Sequence, residues 1–546
     1  MEHRKGISRK SRQKQWFRNS AEKFLRHERG ALSLNENASV RIALVYPNNY
    51  GVGMANLGFQ TVYRFFNEHP EVRCERAFVQ CFSNSEIRTL ESKERLDKFD
   101  VIGFSLSFEI DIRNLICCLR KSNITLLAEY RREKEPLVLV GGAVASINPS
   151  PLLSFVDGLL IGEGEDVFQQ IADVLFSSLH NKICREEKLL ALSKIDGVFV
   201  PKFCSRAKRH IISSLEAYPV YTPIITPLSH FANMFVVEAG RGCTRGCFFC
   251  AAQKVYYPLR FHSAKSILEI VEEKNPGARR VGLEGAGLSD YPGLETLCKV
   301  LIKKGYEVSF SSIRADRVSP ELVKILNKGG VRSFAMAPEA GSELLRKRIG
   351  KGISDDTLER VTYLLGDSSI QTLKLYFLIG LPGETIKDVK AIVKLVKRLS
   401  DIFVKKGRKR RIRLSVNAFI PKPFTEFQWA PMASLKELTE KRKYLKQALS
   451  SYREVFILPK SSREEILQGL LSLGDMNIGL AMMDAVKNEI SWKRALKERE
   501  IDIEAILHRQ RAFNDTMPWD FIDYKIPKEK LWKRYMKFQF PNNIKT

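Results

Sequence analysis

Residues 243 to 250 read CTRGCFFC, which places cysteines at 243, 247 and 250. Thiolates are soft ligands suited to zinc and to iron–sulfur clusters. Three of them are one short of a closed structural zinc site or a fully ligated cluster. Three chemistries compete. Structural zinc would need a distant fourth ligand; His262 is the nearest downstream histidine, and no paired cysteine knuckle is present. An electron-transfer cluster would need a fourth cysteine at short spacing, and the next one is Cys298. An iron–sulfur cubane on three cysteines leaves one iron open, as a catalytic metal site keeps a position open for its reactant. The third reading fits best. Gly242 and Gly246 would let backbone amides reach the cluster sulfurs, and Arg241 and Arg245 would favour thiolate over thiol. The other cysteines, Cys74, Cys81, Cys117, Cys118, Cys184, Cys204 and Cys298, read as small apolar packing residues.

The elements that must position this loop form a series of alternating strand and helix patterns from MFVVEAG (234–240) to RLSVNAF (413–419). Strands are expected near 234, 280, 306, 331, 372 and 412, separated by helical stretches such as SAKSILEIVEEK and KDVKAIVKLVKRL. Six such units make an incomplete (β/α)8 barrel, whose function belongs on the loops after the strands. The cysteines follow the first strand. Upstream, VRIALVYP (40–47), VRCERAFV (72–79), FDVIGFSL (99–106), PLVLVGG (136–142) and VDGLLIG (156–162) are continuous apolar runs with helical stretches between them. Such runs predict parallel strands buried on both faces, in a doubly wound, Rossmann-like α/β sheet. The expected organisation is a basic arm (1–37), a Rossmann-type domain (38–184), a proline-rich linker (185–232), the partial barrel (233–430) and a basic, mostly helical C-terminal region (431–546).

CxxxCxxC after the first strand of a partial barrel resembles the radical S-adenosylmethionine (radical SAM) enzymes. The resemblance implies a 4Fe–4S cluster on Cys243, Cys247 and Cys250, with S-adenosylmethionine on the open iron. One electron then cleaves S-adenosylmethionine to a 5′-deoxyadenosyl radical. It also implies an electron donor such as ferredoxin or flavodoxin. By the same resemblance Phe249 lies along adenine, and Glu284, Gly285 and Gly287 of LEGAGLSDY bind the methionine amino group. Arg314 of SSIRAD, with Glu339 and Ser342 of APEAGSE, would contact the carboxylate or ribose. FLIGLPGET (377–385), with Gly380, is similar to the adenine-side turn of the subset that includes tRNA methylthiotransferases and cobalamin-dependent enzymes. VGGAVASINPSP (140–151) and DGLLIGEGED (157–166) resemble the end of a cobalamin-binding domain. The first loop, YPNNYGVGMANLG (46–58), lacks the lower-ligand histidine of that domain. Over nearly its full length the chain is similar to an uncharacterised group of radical SAM proteins with such a domain, a likeness carried also by FIPKPFTEFQW (419–429) and MPWDFID (517–523).

Composition bounds the partners. A net charge of +27 on 546 residues, dense at residues 4 to 29 and in KKGRKRRIR (405–413), suits a polyanion and RNA first. The expected function is radical modification, by methylation or sulfur insertion, of RNA or another polyanionic macromolecule. Sulfur insertion needs a second cluster, and the N-terminal cysteines offer no compact ligand set for one. The alternatives are a cobalamin-dependent enzyme acting on a small molecule or lipid precursor, and a non-catalytic metal-cluster protein that binds RNA. No run is apolar over the ~18 residues a membrane span requires, and no apolar signal core opens the chain. A cytoplasmic protein without a transmembrane segment is expected.

Overall fold

A computed structural model describes residues 21–79, 86–310, 313–407 and 410–540. The first 20 residues of the basic arm, Cys81, the two serines that open SSIRAD, and Arg408 and Lys409 lie outside the described residues. The chain divides into two compact units, Met1–Phe235 with Glu272–Ala278 and Asp475–Ile501, and Val236–Val271 with Arg279–Gly474 and Asp502–Thr546.

The first unit is built on strands β1 (Val40–Tyr46), β2 (Val72–Phe78), β3 (Val101–Ser105), β4 (Leu137–Gly141), β5 (Gly158–Leu160) and β6 (Val198–Phe199), in the order β2-β1-β3-β4-β5-β6. All neighbours are parallel except β5 and β6. Val40, Ile42, Leu44, Val101, Ile102, Val138 and Val140 are buried, because a doubly wound sheet is covered on both faces. The segment expected as a linker carries the helix Arg185–Leu192 and the antiparallel edge β6. A two-residue strand is too short to show an apolar period, so its sequence reads as a turn. Part of the expected free arm is also packed. Glu28 pairs with buried Arg76 at 2.8 Å, and Arg29 donates to the Gly277 carbonyl at 3.1 Å.

The second unit carries β7 (Met234–Glu238), β8 (Arg280–Glu284), β9 (Glu307–Phe310), β10 (Ser333–Glu339), β11 (Thr372–Ile379), β12 (Arg411–Ala418) and β13 (Val455–Ile457). They form two runs of neighbours, β7-β8-β9 and β10-β11-β12-β13. The β8–β9, β10–β11, β11–β12 and β12–β13 ladders are parallel. Six strands stand where the sequence predicts them, and β13 is a seventh, three residues long and half-exposed. Leu373, Leu375, Phe377 and Ile379 are fully buried on alternate positions of β11. The helix Ile386–Lys405 starts where the Thr385 amide donates to Asp388 at 2.8 Å, and buries Val389, Ile392, Val393 and Val396. The protein is therefore α/β, with an N-terminal parallel sheet, a partial barrel and a helical C-terminal part.

Two expectations need correction, one about the basic run and one about the C-terminal region. Arg410 is buried, and its guanidinium donates to the carbonyls of Gly366, Ser368 and Ile370. It ties the turn before β12 to the turn before β11 and is not a surface docking group. Lys405, Arg411 and Arg413 remain exposed. The C-terminal region does not stay in one body: the helix Met476–Lys487 belongs to the first unit, where Gly479 lies so close to Pro151 that a Cβ would stand 1.9 Å from its carbonyl oxygen. Among the described residues no helix is long and apolar enough to cross a membrane.

Candidate active site

β7 delivers the chain to a loop pinched at its neck, where Gly240–Arg241 pairs antiparallel with Arg260–Phe261. Gly242 has φ of +96°, and a Cβ there would meet the Tyr256 and Pro258 carbonyls at 2.6 and 2.7 Å. Only glycine closes that neck. The enclosed loop carries Cys243, Cys247 and Cys250. Cys247 is buried and the other two are half-buried. The Arg245 amide donates to Cys243 Sγ at 3.4 Å, and backbone amides of Gln253 and Ala252 reach Cys250. Burial pushes the Cys247 thiol up to about 11; Lys351 opposes this, while Cys250, Glu339 and Cys243 add to it. Burial likewise raises Cys250. The three sulfurs therefore sense one another, and burial holds Cys247 and Cys250 as thiols in the metal-free state, so ligation must release protons.

This donor set fits a cluster. Three sulfurs share one loop, amide donors are already aimed at two of them, and a lysine charge stands beside them. Among the described residues no three His, Cys, Asp or Glu side chains converge as a single-ion site, which is no obstacle for a cubane whose ligands each take a different iron. His262 is buried 3.7 Å from Glu238 rather than turned to the cysteines as a ligand. Arg241 and Arg245, expected to favour thiolate, are committed to carboxylates: Arg241 to Glu238 at 2.8 Å, and Arg245 to Asp316. The cation that acts on Cys247 and Cys250 is Lys351.

The loop after β8 presses on the cysteine loop. A Cβ on Gly285 would stand 2.7 Å from the Gly240 carbonyl, and one on Gly287 would stand 2.8 Å from that of Gly242. These glycines provide close approach between backbones. Among the described residues Glu284, which ends β8, has no hydrogen-bond or ion-pair partner for its carboxyl. Burial, reinforced by Glu238, pushes it up to about 7. Burial would raise Glu238 as well, but Arg241 and His262 hold it down at about 2. A network then joins three loops: Thr244 donates to Asp290 at 3.3 Å, Arg314 bridges Asp290 and Asp316, and Asp316 takes Arg245. Arg314 thus braces the site.

At the end of β10, Glu339 has φ of +70°, beside a shift in register with β11. A non-glycine residue in the left-handed region is uncommon, and such strain gathers at functional sites. Lys351 Nζ stands 3.2 Å from Glu339 Oε1. Ser342 caps the helix Glu343–Arg348, accepting from the Leu345 amide at 3.1 Å, and donates to Asp388. Gly380 has φ of +78°, with Ala433 in the space a Cβ would fill, and its amide donates to Glu384 at 2.7 Å. Phe249 is half-buried, whereas its neighbour Phe248 packs with Phe427 and Phe538.

Sequence reasoning passed over Lys351, Lys254, Glu426 and Arg534. IGKGI did hold a signal, because Gly350 and Gly352 flank Lys351 with φ of +74° and +57°. That turn grips the cysteine loop: the Phe248 amide donates to the Ile349 carbonyl at 3.0 Å, and Cys247 lies 3.7 Å from the Gly350 carbonyl.

Two family models match the chain. Radical SAM proteins, N-terminal, covers residues 58–201, and Radical SAM superfamily covers residues 237–396. An uncharacterised protein of Methanocaldococcus jannaschii is 28% identical over 88% of this chain and 97% of its own length. An uncharacterised methyltransferase of Pyrococcus horikoshii is 23% identical over 48% of this chain and 58% of its own. A solved structure with a similar fold is the radical S-adenosylmethionine methyltransferase TsrM of Kitasatospora setae, with cobalamin and a [4Fe-4S] cluster bound. It has a TM-score of 0.50 and 11% identity, covering 85% of this chain and 100% of that one. The second match begins one residue before the end of β7 and takes in the cysteine loop and the ends of β8 to β11. This chain belongs to the radical SAM superfamily, enzymes that use a 4Fe–4S cluster and S-adenosylmethionine.

Proposed function

We propose that the chain holds its cluster on Cys243, Cys247 and Cys250 and cleaves S-adenosylmethionine to modify a polyanionic macromolecule, with RNA the first class to test. The observation that carries the chemistry is the loop itself: three mutually sensing sulfurs, amide donors on two of them, and Lys351 alongside. When bound and reduced by a ferredoxin or flavodoxin, the cluster supplies the electron that cleaves S-adenosylmethionine to the hydrogen-abstracting 5′-deoxyadenosyl radical. The chain's own groups do the rest. Glu284 offers an unpartnered carboxyl to the methionine ammonium, and that ammonium would draw it to its ionised form. Gly285 and Gly287 keep that carboxyl's loop against the cysteines. Lys351 and Glu339 place an opposed pair of charges beside Cys247. Phe249 and the Gly380 turn would bracket adenine.

The macromolecular half rests on the +27 charge. Phosphate neutralisation makes affinity fall steeply with salt. Anaerobically reconstituted protein is expected to be brown, to release 5′-deoxyadenosine on reduction, and to bind RNA with a steep salt slope. Converting exposed Lys405, Arg411 and Arg413 together to glutamate should reduce that slope and leave uncoupled cleavage unchanged. Colourless protein carrying zinc would overturn the chemistry, and salt-insensitive binding would overturn the partner.

The fold likeness to TsrM favours a second reading, a cobalamin-dependent enzyme acting on a small molecule. The residues of the first unit do not fit a cobalamin held by a lower-ligand histidine. Residues 46–58 contain no histidine. The glycine turns after β4 and β5 are filled by the chain itself, a Cβ at Gly142 standing 2.5 Å from the Leu106 carbonyl and one at Gly162 standing 2.2 Å from that of His210. We therefore route no step through cobalamin; corrin absorbance retained after gel filtration would restore that reading.

A further inference from the structure

The segment that reaches the cysteine loop from the far end of the sequence lies outside both family matches, which end at residues 201 and 396. In the helix Lys528–Gln539, Arg534 donates from Nη2 to the Gly246 carbonyl at 3.1 Å. Its Nη1 pairs with Glu426 Oε1 at 2.5 Å, and its guanidinium stands 4.7 Å from the Phe248 ring centre. Gly246 and Phe248 are the residues on either side of Cys247. Glu426 is fully buried, and its Oε1 also takes Lys254 at 3.3 Å, while Oε2 has no hydrogen-bond partner. The next residue, Phe427, donates its amide to the Phe248 carbonyl at 3.2 Å. Phe538, one helical turn after Arg534, packs 4.9 Å from Phe427.

Two features stand out. The arginine fork makes a bidentate choice, one arm on the loop backbone and one on a carboxylate, which a lysine cannot reproduce. Charge is the second: Arg534 and Lys254 set positive charges around buried Glu426, against the residues beside a ligand. Charge and hydrogen bonding around the ligands are among the levers that set iron–sulfur reduction potentials.

We propose that Arg534 is a positioning residue for the cluster: it fixes the Gly246–Phe248 turn that presents Cys247 and, with Glu426 and Lys254, sets the local charge against which the cluster is reduced. The inference rests on the cluster assignment above. Reduction adds one negative charge, so the positive charge of Arg534 favours the reduced state. Removing it makes reduction harder, and removing the buried carboxylate makes it easier.

The test is a redox titration, followed by visible absorbance and electron paramagnetic resonance, of anaerobically reconstituted full-length protein. Wild type is compared with Arg534→Met, Arg534→Lys and Glu426→Gln. The expected midpoint potential moves down in Arg534→Met, up in Glu426→Gln, and stays near wild type in Arg534→Lys. A weakened fold alone would not move the two neutralising variants in opposite directions. If Arg534→Met fails to assemble a cluster, Glu426→Gln and Arg534→Lys still decide the sign. Shifts in one common direction, or none, would overturn the charge role while the cluster assignment stands. Wild type that assembles no cluster would sink both.

Discussion

Each unit of this chain ends one sheet edge with a buried carboxyl that its surroundings push upward, and the two are treated differently. Asp111, in the first unit, is raised by burial to about 6, but its Oδ1 accepts from Asn48 at 3.2 Å and Asn114 at 3.0 Å. Glu284, in the barrel, reaches about 7 with no hydrogen bond among the described residues. The glycines divide in the same way. Gly162 is bridged to His210, its amide is taken by Ser146 at 2.9 Å, and Glu163 accepts from the Ile212 amide. Gly285 and Gly287, by contrast, press on a loop whose sulfurs meet backbone amides and, at Cys247, the Gly350 carbonyl. Burying a polar group without a partner costs free energy. Among the described residues the first unit gives Asp111 two hydrogen bonds on Oδ1, though Oδ2 stays buried without one, whereas the barrel gives Glu284 none, where a ligand can supply it.

The largest effect expected from breaking this contrast comes from the sulfurs. Cys243→Ala, Cys247→Ala and Cys250→Ala should each reduce 5′-deoxyadenosine formation to background with an unchanged circular dichroism spectrum. Cys117→Ala, in the helix Asp111–Lys121, should retain full cleavage. Cleavage by the Cys247 variant would refute the site.

The glycines should separate next. Gly287→Val drives a side chain at the Gly242 carbonyl and Leu259, each 2.8 Å from a Cβ, and should lower iron content several-fold. Gly162→Ala forces φ of +105° and a 2.2 Å contact on an L residue. It should cost roughly 1–3 kcal/mol of stability, seen as a lower melting temperature, with iron per folded chain unchanged. The reverse pattern would erase the distinction between the two edges.

The carboxyls give pH-dependent signs. A folded-state value raised from the ordinary ~4.3 of glutamate to about 7 means that Glu284 destabilises the apoprotein increasingly as pH rises through that window. Glu284→Gln should therefore melt higher than wild type at pH ~8, with the gain shrinking through pH ~5 and vanishing only below pH ~4, while losing affinity for S-adenosylmethionine. Asp111→Asn should shift in the same direction but less, because its window closes at about 6, and cleavage should be untouched. Equal melting gains in the two variants would show that the hydrogen bonds on Asp111 count for little.

The strands were legible in the sequence because parallel sheets demand continuous apolar runs, and the cysteine loop because metal chemistry demands a particular spacing. What stayed hidden depends on partners far away in the chain. Nothing in KKGRKRRIR separates Arg410, anchored on three carbonyls, from exposed Arg411 and Arg413. Nothing in RGCTRGC shows that both arginines meet carboxylates while Lys351, about a hundred residues on, faces the sulfurs. Nor does the sequence show that Arg314, expected as a ligand contact, also braces loops, or that Ser342 also caps a helix.

The division of the chain has a consequence for its synthesis. A ribosome delivers residues in order, and domains ordinarily fold as they emerge, the N-terminal one first. Here the first unit is completed only by Asp475–Ile501, including the helix whose Gly479 fits under Pro151. The barrel unit waits longer still, for Asp502–Thr546 and with it Arg534. Neither unit can complete its packing until residues beyond 475 have been made, so the cysteine loop meets Arg534 only once residue 534 has left the ribosome. A message truncated before residue 534 would yield protein whose cysteines are present but unsecured.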